Sequence, residues 1–477
     1  MTPSGNASVQ QPKLRACSPI PAATASSRRT RQSESFTVKW CETAVGYRAN
    51  QHLARSQHKI GRRSAGRILM ATEQNLRRWI HVGVAALAMV ATLPGRTFGL
   101  GLFTEPILRT YALDREEYGL IGLIATLLGA VFCLPCGWLT DRWGTRAVLV
   151  GTMVLLALSV FGLSAWTGGI TGLFFLILLT RGFGQSALSV ASLTLIGRSA
   201  RTNPGLAMGL YACLTSIGFI GAFAVLRKVI QANPNEWRAP WAGSGVGVLI
   251  AALLSAFLVR NRALDADASQ PDTIPEPSRT LGFALRSSAF WAFALGTSFY
   301  GLVASGTSLF NESILAERGF GKGVFLNVSI VGIPFGLAAN LLGGWLATKM
   351  HLGRLFAAAL LAFGATLASF PLIELEWQVY LYASALAASG GVITVCFFSV
   401  WRKLYGPAAL GRIQGAAQLL TVFFSAFGQA LFPAVKASAG EYAPLFLVSA
   451  GVAVALAIFS YCVRVTPLSA DRIRDPR

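Results

Sequence analysis

Several stretches of this chain hold no Asp, Glu, Lys or Arg over a length that crosses a lipid bilayer. Residues 147–180 run 34 residues without a charge, residues 287–311 run 25, and residues 323–348 run 26. An α-helix needs about 20 apolar residues to span a hydrocarbon core about 30 Å thick. Lipid offers the backbone no hydrogen bonds, so only helices or closed barrels cross it. Barrel strands alternate apolar and polar residues over about ten positions, whereas these runs are apolar on every face. Of 477 residues, 53% are hydrophobic and 13% charged, against about 25% charged in a soluble domain. That hydrophobicity excludes a disordered chain. Seven Cys in this length are too sparse for a disulfide scaffold.

The apolar runs resolve into twelve helical spans. They are placed at 79–104, 118–140, 147–166, 170–196, 205–226 and 239–259 in the first half. The second half gives 289–310, 324–348, 355–373, 377–401, 413–435 and 442–463. The long run at 147–180 splits at Thr167-Gly168-Gly169, and Arg181 interrupts the fourth span. The expected organisation is a six-helix bundle over 70–259, a linker over 260–288, a second six-helix bundle over 289–463, and a tail over 464–477. The linker carries Asp265, Asp267, Pro271, Asp272, Pro275, Glu276 and Pro277.

The formal charge of +21 suits a nucleic-acid binder only if the basic residues share a solvated surface. Their distribution fits topology instead. With the N-terminus in the cytoplasm and counting from Met70, cytoplasmic segments hold 19 Lys+Arg and external ones 8. Such a bias marks the cytoplasmic loops of a membrane protein. The basic loops carry Arg142/Arg146, Arg198/Arg201, Lys349/Arg354 and Arg402/Lys403/Arg412. One external loop, with Arg227, Lys228 and Arg238, runs against the pattern. The expected location is a bacterial-type inner (cytoplasmic) membrane with both termini inside, and no nucleic-acid partner.

Residues 1–69 stand apart, with 12 Lys+Arg against Glu34 and Glu42. Three readings fit them: a start placed upstream of the true one at Met70, an organelle leader, or a basic tail that touches anionic lipid. The lead Met70-Ala-Thr-Glu-Gln-Asn-Leu-Arg-Arg-Trp79 before span one favours the first.

After span two stands Gly137-Trp-Leu-Thr-Asp141-Arg142-Trp-Gly144-Thr-Arg146, and after span eight Gly344-Trp-Leu-Ala-Thr-Lys349-Met-His-Leu-Gly353-Arg354. Both begin Gly-Trp-Leu, 207 residues apart, so the halves are repeats in register. The first copy resembles the loop signature of the major facilitator superfamily, G-x-L-x-D-R-x-G-x-R, and matches at Gly137, Leu139, Asp141, Arg142, Gly144 and Arg146. The second copy lacks the Asp. The resemblance spans roughly residues 75–465. It implies two pseudo-symmetric six-helix bundles, each of inverted three-helix repeats, around a substrate site at the bilayer midplane. It also implies a conformational gate of Gly137, Asp141, Arg142, Gly144, Arg146, Lys349 and Arg354. The bland alternative is a basic loop that only sets topology.

A charge at bilayer depth costs about 2.5–3.5 kcal/mol even on lenient scales and so marks function. Arg96 sits in Pro94-Gly95-Arg96-Thr97, where Pro and Gly loosen span one. Arg181 sits in Thr180-Arg181-Gly182-Phe183-Gly184-Gln185, which resembles the family's fourth-span motif with its Gln and Gly reversed. A guanidinium grips a carboxylate with two parallel hydrogen bonds. Against this, Arg181 fits a structural or gating partner, and Arg96 fits a side chain that snorkels to the interface. No Asp or Glu lies deep in a span; Glu105 and Glu312 sit near span ends. The substrate-binding candidates are Arg96, Thr97, Arg181, Gln185, Tyr300, Ser389 and Gln418. Softer candidates are Ser298, Ser305, Thr307, Ser308, Asn311, Thr394, Gln414 and Gln429, since most hydroxyls in membrane helices serve packing.

Pro204-Gly205-Leu206-Ala207-Met208-Gly209, followed by Gly218, is similar to part of the monocarboxylate-porter signature. The aromatic and paired basic residues upstream of that signature are absent. Cys133-Leu-Pro-Cys136 has no second pair or nearby His, so neither zinc nor redox chemistry is read into it. Gly243-Ser-Gly245-Val-Gly247 lies inside a span, and Gly319-Phe-Gly321-Lys-Gly323 lacks the Ser/Thr of a phosphate loop. No catalytic group, metal site or cofactor is expected. The sequence therefore reads as a monomeric transporter of a small organic anion, possessing a coupled proton in the symporter version and none in the uniporter version. The rival readings are a drug or sugar transporter and a non-transporting membrane receptor or membrane enzyme.

Overall fold

A computed structural model of the chain describes residues 76–199, 204–232, 236–259 and 278–463. The basic segment 1–69, most of the linker at 260–288 and the tail 464–477 lie outside the described residues, as does Arg201.

Twelve helices are long and apolar enough to cross a membrane: Leu76–Gly95, Arg115–Trp143, Thr145–Ala165, Ile170–Ser199, Pro204–Ala232, Arg238–Leu258, Ser288–Glu317, Gly323–Lys349, Leu352–Leu372, Glu376–Tyr405, Leu410–Ala439 and Ala443–Cys462. Each overlaps one of the expected spans, and the chain is a multi-pass membrane protein. Local chemistry sets the ends. Asp114 caps span two, accepting from the Glu117 N–H while the Glu117 carboxylate accepts from the Asp114 N–H, a reciprocal arrangement that satisfies two end donors. Gly144, at φ +85°, turns the chain between spans two and three.

Span one departs from the expectation of a continuous helix over 79–104. The helix tightens into a single turn at Leu93–Gly95, Arg96 is extended (φ −83°, ψ 150°), and short helices resume at Thr97–Gly101 and Thr104–Tyr111. Pro94 has no N–H to donate, and proline inside a helix breaks its ladder. Arg181 does not interrupt span four. Wider π-helical turns at Gly182–Leu188 follow it directly, and such turns cluster at functional positions. The two irregular segments touch: a Cβ on Gly95 would lie 2.5 Å from the Thr180 carbonyl oxygen and 2.8 Å from the Gly184 Cα.

The two halves meet at two pseudo-symmetric crossings, on the membrane face that holds both ends of the spanned region (the terminal face). A Cβ on Gly137 of span two would lie 2.4 Å from the Gly411 carbonyl oxygen of span eleven. Its repeat counterpart Gly344 of span eight meets Gly205 of span five at 2.6 Å in the same sense. One turn deeper, Gly415 approaches the Cys133 carbonyl oxygen at 2.6 Å and Gly209 that of Asn340 at 2.7 Å. Backbone against backbone leaves no room for any side chain, and small residues are how membrane helices come this close.

Gly411→Val is expected to hold the halves apart at this face. Cys133 is fully buried beside the crossing. In a chain whose other cysteines are Ser, the variant should raise the rate of maleimide labelling at Cys133; an unchanged rate would show that the close approach is not what shuts this face.

Candidate functional site

Between the halves lies a cavity of about 870 Å³. Spans one, four and five form one wall, and spans seven, eight, ten and eleven the other. Its lining runs on to Leu315 and Val328, near the ends of spans seven and eight on the face opposite the termini. Toward the terminal face it is shut. Gln414 of span eleven accepts from Thr194 of span four (2.9 Å) and donates to the Leu193 carbonyl (3.3 Å).

Beyond that floor stands the gate. The Asp141 carboxylate, almost wholly buried at 1% exposure, accepts from the Gly411 N–H (2.9 Å), the Arg412 N–H (3.0 Å) and Arg198 Nη2 (2.8 Å), with Arg412 Nε at 3.4 Å. Two of these donors are backbone groups at the start of span eleven, where N–H groups lack helical partners. Arg402 of span ten adds bonds to the carbonyls of Gly197 (2.8 Å) and Arg198 (2.7 Å) across the halves. Within each half a matching contact repeats: Arg198 Nη1 donates to the Thr140 carbonyl and Lys403 Nζ to the Ala347 carbonyl.

Of the gate residues expected from sequence, Gly137 makes the helix crossing, Asp141 makes the polar latch and Gly144 makes the turn. Arg142 lies over the Trp138 ring at 5.1 Å. Lys349 and Arg354 make no hydrogen bond or ion pair among the described residues. Arg198, Arg402, Lys403 and Arg412, read from sequence only as basic loop residues, make these contacts between and within the halves.

Of the binding candidates, Arg96, Thr97, Gln185, Tyr300 and Gln418 line the cavity. Arg96 stands at the break in span one. Its Nε donates to Thr92 Oγ1 (3.0 Å), its Nη2 to Ser189 Oγ (3.1 Å) and to Met89 Sδ (3.0 Å), and its guanidinium lies over the Phe219 ring at 5.6 Å. Nη1 has no hydrogen-bond partner among the described residues, and no described carboxylate pairs with this charge. Arg181 does not line the cavity. It is buried one layer back, with Nη1 3.3 Å from Thr97 Oγ1 and 3.4 Å from Gln185 Oε1. Thr97 also accepts from Gln429 Nε2 (3.1 Å), a bond between halves above the cavity. Ser389 faces away: its hydroxyl bonds the carbonyls of Ala385 and Leu386, while Gly390, Gly391 and Thr394 of the same span reach the cavity.

Sequence reasoning passed over Asn340, Tyr382 and Thr297, which line the second wall. Asn340 was the readable one, a single carboxamide in Leu-Ala-Ala-Asn-Leu-Leu. Glu105 and Glu312, the acids near span ends, do not line the cavity; Glu105 pairs with Arg115 at 2.6 Å. Among the described residues no cluster of His, Cys, Asp or Glu could hold a metal ion.

The family model described as Major Facilitator Superfamily matches residues 84–429. Monocarboxylate transporter 13 of Rattus norvegicus is 25% identical over 401 residues, 80% of this chain and 88% of that protein. Two solved structures share the fold at low identity. The transporter FucP in the outward conformation aligns with a TM-score of 0.62 at 16% identity, covering 82% of this chain and all of that one. The proton:xylose symporter XylE bound to 6-bromo-6-deoxy-D-glucose aligns at 0.64 and 15%, covering 83% and 97%.

Asp141→Asn removes the charge that Arg198 and Arg412 face. Charge-assisted hydrogen bonds contribute about 1.5–3 kcal/mol each, so the closed terminal face should lose roughly tenfold or more in population. Turnover in liposomes should fall while Cys133 labelling rises; full turnover in a correctly inserted variant would sink this role.

Proposed function

The chain belongs to the major facilitator superfamily and is therefore a transporter, not an enzyme; from that premise we propose that it moves a small, monocarboxylate-like organic anion by alternating access. The observation that carries this reading is Arg96, a guanidinium on the cavity wall, at a break in its helix, with no described carboxylate to neutralise it. Thr92 and Ser189 fix the orientation of that guanidinium and leave Nη1 for a ligand. A carboxylate there gains a charge-assisted bond and relieves a charge held away from bulk water. Arg181, behind Thr97 and Gln185, extends the positive field without reaching the ligand.

The Lys/Arg bias assigns the terminal face to the cytoplasm. The cavity then faces outward, the termini are cytoplasmic, and the membrane is the cytoplasmic one. Among the described residues no Asp or Glu lines the cavity, so a symporter would carry its proton on the substrate's own carboxylate, and a uniporter carries none. The protein works as a monomer, since one chain supplies both walls.

In purified protein, Arg96→Gln should weaken carboxylate binding by about tenfold or more, the weight of one charge-assisted contact, as read by calorimetry and by counterflow in liposomes. Flux of a lipophilic cation or a neutral sugar that ignores both Arg96 and Arg181 would replace the anion reading with the drug- or sugar-transporter one.

A further inference from the structure

The two walls of the cavity differ in how their polar atoms are used. On the first wall Arg96, Thr97 and Gln185 are engaged with protein groups, as described above, and a single half-buried hydroxyl, Thr215 Oγ1, has no hydrogen-bond partner. On the second wall four side chains line the cavity, are each more than nine-tenths buried, and carry a polar atom with no hydrogen-bond partner. They are Thr297 Oγ1 and Thr307 Oγ1 of span seven, Asn340 Oδ1 of span eight and the Tyr382 hydroxyl of span ten. A buried polar group left unpaired gives up its hydrogen bonds to water without replacement, and native proteins leave few of them. Four on one wall of one cavity form a set. A threonine exchanges its methyl and hydroxyl by one χ1 rotation, so each covered oxygen is one rotamer from the cavity space.

The backbone keeps room for this set. A Cβ on Gly390 would lie 2.3 Å from the Tyr300 hydroxyl, and a Cβ on Gly391 would lie 3.2 Å from Asn340 Oδ1. The glycine pair is thus a cradle for a phenol and a carboxamide. The Tyr300 hydroxyl and the Gln418 carboxamide make no hydrogen bond with a described residue either. None of these groups is charged.

We infer that the second wall is a hydrogen-bonding subsite for hydroxyl groups, and that the substrate is a polyhydroxylated monocarboxylate. Its carboxylate sits at Arg96, and its hydroxyls pair with Tyr300, Asn340, Tyr382 and the two threonines. The inference rests on the anion reading of Arg96 and narrows it. A hydrocarbon tail would leave the second wall unpaired, and a site built to bond hydroxyls rejects analogues that lack them far more strongly than an apolar pocket rejects a misfit.

Three six-carbon probes test it by calorimetry on the purified full-length protein: gluconate, with carboxylate and hydroxyls; hexanoate, with the carboxylate alone; and sorbitol, with hydroxyls alone. Gluconate should bind at least about tenfold more tightly than either of the others. Asn340→Leu should narrow the gluconate-to-hexanoate ratio severalfold, and Arg96→Gln should weaken both acids. Tyr300→Phe, which removes one hydroxyl and nothing else, should narrow the same ratio and stands in if Asn340→Leu does not fold. Hexanoate binding as tightly as gluconate would overturn the subsite and leave the anion reading standing. Sorbitol matching gluconate while hexanoate is silent would overturn the anion reading, and this inference with it. Failure of gluconate to bind would overturn the inference whatever the other two do.

Discussion

The carboxylate of Asp141 holds together a polar contact in which one side chain meets both a cation of its own half and the helix start of the other. Its bonds to the Gly411 and Arg412 N–H groups neutralise the exposed donors of span eleven, and Arg198 holds it in place from span four. The contact is possible only because Gly137 and Gly411 bring the backbones of spans two and eleven together. A side chain at either glycine would move the carboxylate out of hydrogen-bond range, where distance matters most. The cavity exists as a closed-bottomed space because this face is shut, so the binding geometry at Arg96 depends on a carboxylate in another layer of the protein.

Irregular backbone at membrane depth is tolerated only where protein or a cavity covers it. The break in span one and the π-helical turns of span four solve that requirement jointly, by packing against each other at Gly95 and Gly184. The same arrangement turns Arg96 into the cavity and sets Thr97 between Arg181 and Gln429. A proline and two glycines therefore place the charge that defines the site.

The uncharged runs located all twelve spans because burial in lipid leaves a one-dimensional signature that needs no partner. The first glycines of the Gly-Trp-Leu repeat, Gly137 and Gly344, stand at the two helix crossings, because a backbone contact demands glycine whatever surrounds it. The break at Pro94 was legible as a weak point but not as an end, since a proline-bearing helix either kinks or stops according to its neighbours; Pro334 and Pro433 sit inside continuous helices. Depth around the helix axis was not legible. Arg181 and Ser389 do not line the cavity, whereas Asn340 and Tyr382 do, and no local pattern separates them in spans that are apolar all round. The cations at this face were visible in the sequence as basic loop residues, but which of them bond across the halves, Arg198, Arg402 and Arg412, depends on packing that no local pattern carries.

The repeat is symmetric in its glycines and asymmetric in its charge, and that asymmetry sets the direction of the resting equilibrium. Thr348 occupies the position equivalent to Asp141, so among the described residues the crossing of spans five and eight has close packing and the neutral bond from Cys213 Sγ to the Leu337 carbonyl, and no charged latch. Across the cavity's other end the halves share the neutral bond from Gln429 to Thr97. Neutral hydrogen bonds contribute about 0.5–1.5 kcal/mol and charged ones about 1.5–3, so without ligand the terminal face is the one held shut. A ligand moves a two-state equilibrium only by the difference in its affinity for the two states. Substrate must therefore gain contacts, when the opposite face closes over it, that outweigh the bonds of Asp141. In the proposed binding mode the contact at Arg96 is present before closure and supplies no such difference. In the same proposal the contacts that form only as the two walls approach are those of the second wall, and its unpaired hydroxyl and carboxamide groups supply the energy that opens the latch.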